Sequence, residues 1–197
     1  MRIVTTAAVA AVAMSIPTGA AAAAPTPVLC ATHTHGDSAG TRSHRQFTQE
    51  VAIAGAQVGD VVDLLSDPRR LGEIHPLLAN VVQDRATADV DGGTVAHYTM
   101  TDRMTVAGLP VSFQYTTEMR RCGPGRIGSR ARQFPDIDLY SAMSVTPAPG
   151  GVRVTELTDF LAPAPLMEFT FEQGQNAHRT MFGNLKAKFT GTPRGAR

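Results

Sequence analysis

Val111-Ser112-Phe113-Gln114-Tyr115-Thr116-Thr117-Glu118-Met119-Arg120 alternates strictly between two kinds of side chain. Val111, Phe113, Tyr115, Thr117 and Met119 make one set; Ser112, Gln114, Thr116, Glu118 and Arg120 make the other. Successive side chains of a strand point to opposite faces, so this stretch predicts an antiparallel strand with one apolar and one wet face. The next run keeps the pattern, with Ile127, Ser129 and Ala131 dry and Arg126, Arg130 and Arg132 wet. Those arginines have acidic counterparts on neighbouring runs, which predicts a solvated outer face in preference to an anion site.

Outward from this stretch the two-residue period continues through residues 77–90, 94–107, 109–121, 125–134, 138–147 and 151–161. Asp91-Gly92-Gly93, Gly108, Gly123-Pro124-Gly125, Pro135-Asp136 and the Pro147–Gly151 stretch separate the runs, and such short punctuation predicts consecutive hairpins. Upstream, Phe47, Val51 and Ile53 read as a first strand ending near Gly55. Val58, Val61, Val62, Leu64 and Leu65 then recur at helical spacing, with Asp60 in the favourable first turn. Asp67-Pro68 closes that helix and opens a second short one, through Leu71 and Ile74, which stops at His75-Pro76. Downstream of Pro163 and Pro165, Phe171, Gly174, His178, Met181, Leu185 and Phe189 step by three or four residues to about Thr190. A helix of about 25 residues spans roughly 37 Å, enough to lie across the whole sheet.

Both ends of the chain read differently from its middle. Residues 1–24 run from Arg2 through an apolar stretch to a block of alanines, the layout of a secretory signal peptide, with cleavage expected near Ala22–Ala24. The apolar stretch is too short to span a bilayer, so secretion without stable membrane insertion is expected. Residues 25–45 have no apolar period and read as an extended polar arm, and 191–197 as a disordered tail, leaving 46–190 as one domain. His33, His35, Asp37 and His44 are metal-ligand types, but an irregular arm fixes no geometry, and no metal or cofactor is expected. An oxidising compartment lets Cys30 and Cys122 form a disulfide closing a loop of about 92 residues, with two separate thiols as the alternative. Such a bridge would contribute ~3–5 kcal/mol by restricting the unfolded chain.

Charge narrows the partners. There are 18 Lys+Arg against 17 Asp+Glu, and cleavage would remove Arg2 to leave a neutral chain. No long-range field would gather nucleic acid or anionic membrane. A Gly-x-x-x-x-Gly-Lys phosphate loop, His-Glu-x-x-His and Cys-x-x-Cys do not occur.

One strand, two short helices, six further antiparallel strands and a long last helix is the order of the α+β helix-grip fold, with a seven-stranded sheet, and the chain resembles the START-like superfamily. That superfamily (SRPBCC) includes polyketide cyclase/dehydrase-type proteins and the major birch pollen allergen family. The likeness rests on Val58-Gly59-Asp60-Val61-Val62-Asp63-Leu64-Leu65-Ser66-Asp67-Pro68, Ile74-His75-Pro76-Leu77, Gly150-Gly151-Val152-Arg153-Val154-Thr155 and Asn184-Leu185-Lys186. It covers about residues 46–190, and departs from many relatives in having Ile74 where they carry Trp. The resemblance implies a cavity between the sheet and the last helix, holding a small hydrophobic ligand such as a lipid, polyketide or aromatic metabolite. A carrier is the first expectation, and a cyclase or dehydratase-like enzyme the second.

Residues on the inward phase are the candidates for lining that cavity. Tyr98, Met100, Phe113 and Tyr115 lie on adjacent runs, Ser129 and Phe171 add further inward positions, and Met181 lies on the last helix. Glu156 falls between Val154 and Thr158, and His178 interrupts the apolar helical stripe. A buried carboxylate needs a partner or a raised pKa, so Glu156 and His178 are expected to face each other or to be core and exposed residues of no chemical role. His75 is expected to serve the turn before Pro76 and not the chemistry.

Overall fold

The computed structural model describes residues 29–30, 42–89, 93–106 and 108–191. The expected signal peptide, His33, His35, Asp37, most of the arm and the tail beyond Gly191 lie outside the described residues. The element order is β1 (Arg42–Ala54), α1 (Val58–Leu65), α2 (Pro68–Leu71), β2 (Leu78–Ala88), β3 (Thr94–Val106), β4 (Leu109–Arg121), β5 (Arg126–Gln133), β6 (Ile137–Ala148), β7 (Gly151–Pro163) and α3 (Met167–Thr190). The strands form one antiparallel sheet in the order β1-β7-β6-β5-β4-β3-β2. Six strands thus follow one another as hairpins, and β1 docks on the last of them. A seven-stranded antiparallel sheet closed by a long C-terminal helix is the helix-grip arrangement.

β1 starts at Arg42, inside the stretch expected to be arm, and pairs residue for residue with β7 from Arg42↔Pro163 to Ala54↔Gly151. Its polar residues have a structural reason. On the outer face His44 Nε2 lies 3.2 Å from Asp159 Oδ1, and Gln46 Nε2 donates to the same oxygen at 2.6 Å. On the inner face the Arg45 guanidinium sits 3.9 Å from the centroid of the Phe171 ring, a cation–π contact. An apolar period is absent there because ion pairs and ring stacking replace it. The outer-face arginines behave similarly: Arg130 donates twice to Asp138, and Arg42 donates to its other oxygen.

Two apolar clusters fill the inner face. The larger joins Val61, Val62, Leu64 and Leu65 of α1 to Ile53, Val145, Val152 and Val154 of the sheet and to Met181, Phe182 and Leu185 of α3. The smaller packs Phe47, Ile137, Phe160, Met167 and Phe171 at the other end of the helix. Gly174 lets α3 approach closely there: a Cβ at that position would stand 2.5 Å from the Phe160 ring. Asn184 Nδ2 donates to the Ile74 carbonyl at 2.7 Å and fixes the far end of α3 over the turn after α2.

Cys30 and Cys122 form a disulfide with Cα atoms 5.4 Å apart. Leu29 is buried beside it, and the Leu29 carbonyl oxygen would stand 2.0 Å from a Cβ added to Gly128. Only glycine admits the backbone this close to β5. Arg126 Nη2 donates to the Cys30 carbonyl at 3.1 Å, so this short piece is held by a covalent bond, a hydrogen bond and a shape fit.

Candidate functional site

Between the inner face of the sheet and α3 lies a cavity of about 340 Å³. Asp102 and Met104 of β3, Phe113 and Tyr115 of β4, Ala131 of β5, Ile137 and Leu139 of β6, and Phe160 of β7 form its floor. Phe169, Thr170, Gln173, Gly174, Ala177 and His178 of α3 form its roof, and His75 and Leu77 close one end. It opens beside Phe134, which is 88% exposed, and Phe169, which is 47% exposed. The volume lies at the small end of the usual range for small-molecule pockets.

The polar groups gather around His178. Its Nδ1 lies 2.9 Å from Glu156 Oε1. Glu156 is fully buried behind it and also accepts from Ser141 Oγ at 2.5 Å and from Gln49 Nε2 at 2.7 Å. Both Gln49 and Ser141 reach Glu156 because β1 and β6 flank β7. Burial pushes the Glu156 carboxyl up, but the His178 charge and the hydrogen bonds from His178, Ser141 and Gln49 outweigh it and leave the group below its ordinary range. Burial likewise disfavours a charged His178, yet Glu156, and to a smaller extent Asp102, hold its pKa above the ordinary value. Each group thus favours the charged form of the other, carboxylate and imidazolium, over the neutral pair.

His75 stands edge-on to His178, with ring centroids 6.3 Å apart. Its Nδ1 accepts from the Leu77 backbone N–H at 3.4 Å, so it does serve the turn before β2 as well as lining the cavity. Burial first, and then the charge on His178, pulls its pKa down to about 4 against the opposing pull of Glu156. Two neighbouring imidazoles are thus pulled in opposite directions. On the sheet side Tyr115 Oη donates to Asp102 Oδ1 at 3.1 Å. Burial raises the Asp102 carboxyl although Tyr115 and His178 pull it down, and burial followed by Asp102 raises the Tyr115 hydroxyl well above its ordinary value.

Phe113, Tyr115 and His178, of the nine residues singled out for a ligand, lie on the wall of the cavity. Glu156 stands one residue behind it. Tyr98, Met100 and Met181 pack in the larger core cluster with α1, and Phe171 in the smaller one against Phe47 and Phe160. Ser129 sits on β5 between Met119 and Ser141. His75, Asp102, Gln49 and Ser141 were not among the nine. Asp102 continues the inward phase of Tyr98 and Met100, Gln49 lies between Phe47 and Val51, and Ser141 lies between Leu139 and Met143, so each carried the signal of a polar residue on an apolar phase.

Two glycine spacings in the sequence match catalytic or phosphate-binding patterns without their structural context. Gly36-Asp37-Ser38-Ala39-Gly40 has the Gly-x-Ser-x-Gly spacing and lies outside the described residues; the element that follows it is the strand β1, where a nucleophile elbow requires a helix. Gly123, Gly125 and Gly128 have the Gly-x-Gly-x-x-Gly spacing, but the first two lie in the β4–β5 turn and the third within β5, and they open no helix. Among the described residues no group of three or more His, Cys, Asp or Glu is placed to hold a metal ion, and no helix is long and apolar enough to cross a membrane.

A sequence-family model described as polyketide cyclase / dehydrase and lipid transport matches residues 44–190. No curated protein matches the chain. Among solved structures, the di-domain ARO/CYC BexL from the BE-7585A biosynthetic pathway is similar at a TM-score of 0.59 and 17% identity, over 76% of this chain and 51% of that one. The Zhui aromatase/cyclase from Streptomyces sp. R1128 has a TM-score of 0.55 at 14% identity, over 77% of this chain and 98% of that one. TTHA0849 from Thermus thermophilus has 0.54 at 12%, over 77% and 99%. The chain spans about half the length of the di-domain BexL and nearly all of the other two, and at these identities the likeness is one of fold. The match across 44–190, which takes in every strand from the third residue of β1 to the end of α3, shows that the chain belongs to the polyketide cyclase / dehydrase and lipid transport family.

Proposed function

We propose that this chain is an exported binding or carrier protein for one small, largely apolar molecule held between the sheet and α3. The observation that carries this reading is the cavity itself: about 340 Å³ walled mostly by Phe, Leu, Ile, Met and Ala side chains, with its titratable groups confined to His75, Asp102, Tyr115 and His178. An enclosed apolar volume with a few convergent polar groups is the usual form of a small-molecule site. The volume corresponds to about eleven water molecules at ~30 Å³ each, so a ligand of about a dozen heavy atoms fits inside and a longer one extends past Phe134 and Phe169. Export is supported by the disulfide and by the basic, apolar, small-residue order of residues 1–24.

Native mass spectrometry of the exported protein, with solvent extraction of what co-purifies, tests the reading together with titration of a fluorescent hydrophobic dye. Wild type is expected to take up one dye molecule, and Ala131→Phe, which puts a ring into the void, to stay folded and lose it. Dye uptake unchanged by Ala131→Phe would overturn the assignment to this cavity.

A second reading, proton-transfer catalysis of the cyclase or dehydratase kind, is favoured by one observation. An imidazolium and a carboxyl, His178 and Asp102, line the same void, each with a partner that fixes it. In the dehydration of a β-hydroxy ketone, Asp102 as carboxylate would take the α-proton and His178 would protonate the departing hydroxyl as water. Turnover of such a substrate that is lost in His178→Asn while dye binding survives would favour this reading over the carrier.

A further inference from the structure

Asp102 reaches the cavity with half of its carboxyl engaged. Tyr115 Oη donates to Oδ1 at 3.1 Å. The other oxygen, Oδ2, accepts no hydrogen bond from any described residue, yet it is not sealed from solvent. Asp102 follows Tyr98 and Met100 on the inward phase of β3 and lines the cavity, so the open space that Oδ2 meets is the cavity itself. A carboxylate oxygen facing an apolar void without a donor costs free energy, and a ligand group that donates to it removes that cost.

The charge of the neighbourhood decides which donor. No described Lys or Arg lines the cavity or stands within ion-pair distance of Asp102. Glu156 and His178, 2.9 Å apart, sum to zero with one proton between them, whether as carboxylate and imidazolium or as carboxyl and imidazole. His75 accepts the Leu77 N–H at Nδ1, which an imidazolium cannot do, so it adds no positive charge. Tyr115 keeps its proton as the donor to Asp102. An ionised Asp102 therefore has no cation to balance it within the protein, and burial raises its carboxyl above the ordinary value, as befits a carboxylate without a counter-ion. A ligand ammonium supplies both the donor for Oδ2 and the positive charge. The rings of Phe113, Tyr115, Phe160 and Phe169 line the same space, and an aromatic face attracts a cation. A neutral hydroxyl supplies the donor alone, and a ligand carboxylate would add a second negative charge at low dielectric.

Resting on the ligand-binding reading above, we infer that Asp102 receives a protonated amine, so that the ligand class is an amine on a small apolar or aromatic body and not the corresponding alcohol or acid. Three probes of one size separate the alternatives: phenethylamine, phenethyl alcohol and propylbenzene. They share a phenyl ring and a two-carbon stem, are small enough for the cavity, and differ only in the terminal ammonium, hydroxyl or methyl.

Displacement of the bound fluorescent dye from the full exported chain at about pH 7, where an alkylamine is protonated, ranks the three. The amine is expected to bind about tenfold tighter than the alcohol, the margin of a charge-assisted over a neutral hydrogen bond. The alcohol is expected to exceed propylbenzene by about threefold at most, since its hydroxyl leaves the charge unmatched. Asp102→Asn keeps the shape and removes the charge, and should bring the ratio of amine to alcohol down to about one or below. Both affinities are read on the same sample, so a general change in fit does not move the ratio, and the wild-type ranking decides by itself if the variant does not fold. Equal affinity for amine and alcohol in wild type, or a ratio that survives Asp102→Asn, overturns the assignment of an amine to Asp102 while dye uptake leaves the cavity reading intact. A dye that binds and is displaced by none of the three likewise overturns the amine alone. Absence of dye uptake overturns both.

Discussion

Glu156→Gln replaces a fully buried carboxylate with its closest uncharged relative and leaves the cavity walls in place. In the wild type, Oε1 receives Ser141 and His178 while Oε2 receives Gln49. The substituted amide can keep its oxygen toward Ser141 and His178, and Gln49 can turn its own amide to accept from the new NH₂. The count of hydrogen bonds survives, but their charge does not. Charge-assisted bonds contribute ~1.5–3 kcal/mol each against ~0.5–1.5 for neutral ones, so losing that assistance at two or three bonds costs about 1–3 kcal/mol after repacking. Glu156→Ala, which strands buried partners, is expected to cost more, about 3–5 kcal/mol.

The sign of the pH dependence distinguishes an ion pair from mere packing. His178 has a folded pKa above its ordinary 6.5, so its stabilisation is complete below that value and is lost as pH rises through the folded pKa. Glu156 has a folded pKa below its ordinary 4.5, so its stabilisation is present above that value and is lost as pH falls through the folded one. The cost of Glu156→Gln should therefore be largest between 4.5 and 6.5 and shrink on the alkaline side. Urea unfolding at about pH 5.5 and about pH 9, with nuclear magnetic resonance titration of the His178 ring, measures both effects. In the variant the ring should titrate at or below its ordinary 6.5. A cost independent of pH, or a His178 that still titrates above that value, would refute the ion-pair account.

His75 drives the opposite slope. Held neutral with a pKa of about 4, it takes up a proton more readily in the unfolded chain, so acidification from 6.5 to about 4 should cost about 3 kcal/mol, and His75→Phe should lose that acid sensitivity in the same unfolding series. Gly174→Ala gains ~1 kcal/mol of helix propensity but drives a methyl into the buried Phe160 ring, an overpacking cost of ~1–3 kcal/mol, so thermal unfolding should register a net loss of about 1 kcal/mol and less dye uptake as the ring swings into the cavity. Replacing Cys30 and Cys122 together with Ser opens a loop with a sequence separation of 92, and urea titration should show a loss of about 3–5 kcal/mol, reproduced in wild type by adding reductant. An unchanged midpoint in both cases would mean that the bridge restricts the unfolded chain far less than its length implies.

The architecture was legible because a one-sided antiparallel sheet writes its face assignment into every second residue. Val111 to Met119, Val152 to Phe160 and the stripe of α3 all point inward as their periods require. Position along the strand is written nowhere in that period. Tyr98 and Met100 share the inward phase with Asp102 and Met104, yet the first two lie in the larger core cluster while the second two meet the void. What separates them is where α1 and α2 stop covering the sheet, a distance set by tertiary packing and invisible to a two-residue pattern. The same reason hid the start of β1, whose polar residues find Asp159 on the neighbouring β7 and Asp138 one strand further on, on β6.

His75 marks the sharpest limit of local reading. Its turn role follows from Pro76 next to it, but its chemistry follows from His178, a partner brought to 6.3 Å by the folding of the whole sheet between them. Burial is the first cause that holds His75 neutral, and the charge on the adjacent His178 pulls the same way. The ring with a carboxylate behind it is held above its ordinary pKa, and the other is pulled down to about 4. Glu156 thus acts on His75 in two opposing ways, raising its pKa directly and lowering it through the charge it favours on His178. Because the His178 effect is the larger of the two, Glu156→Gln should on balance raise the pKa of His75, and titration of both rings in one variant tests that balance; a His75 that is unmoved or falls would refute it.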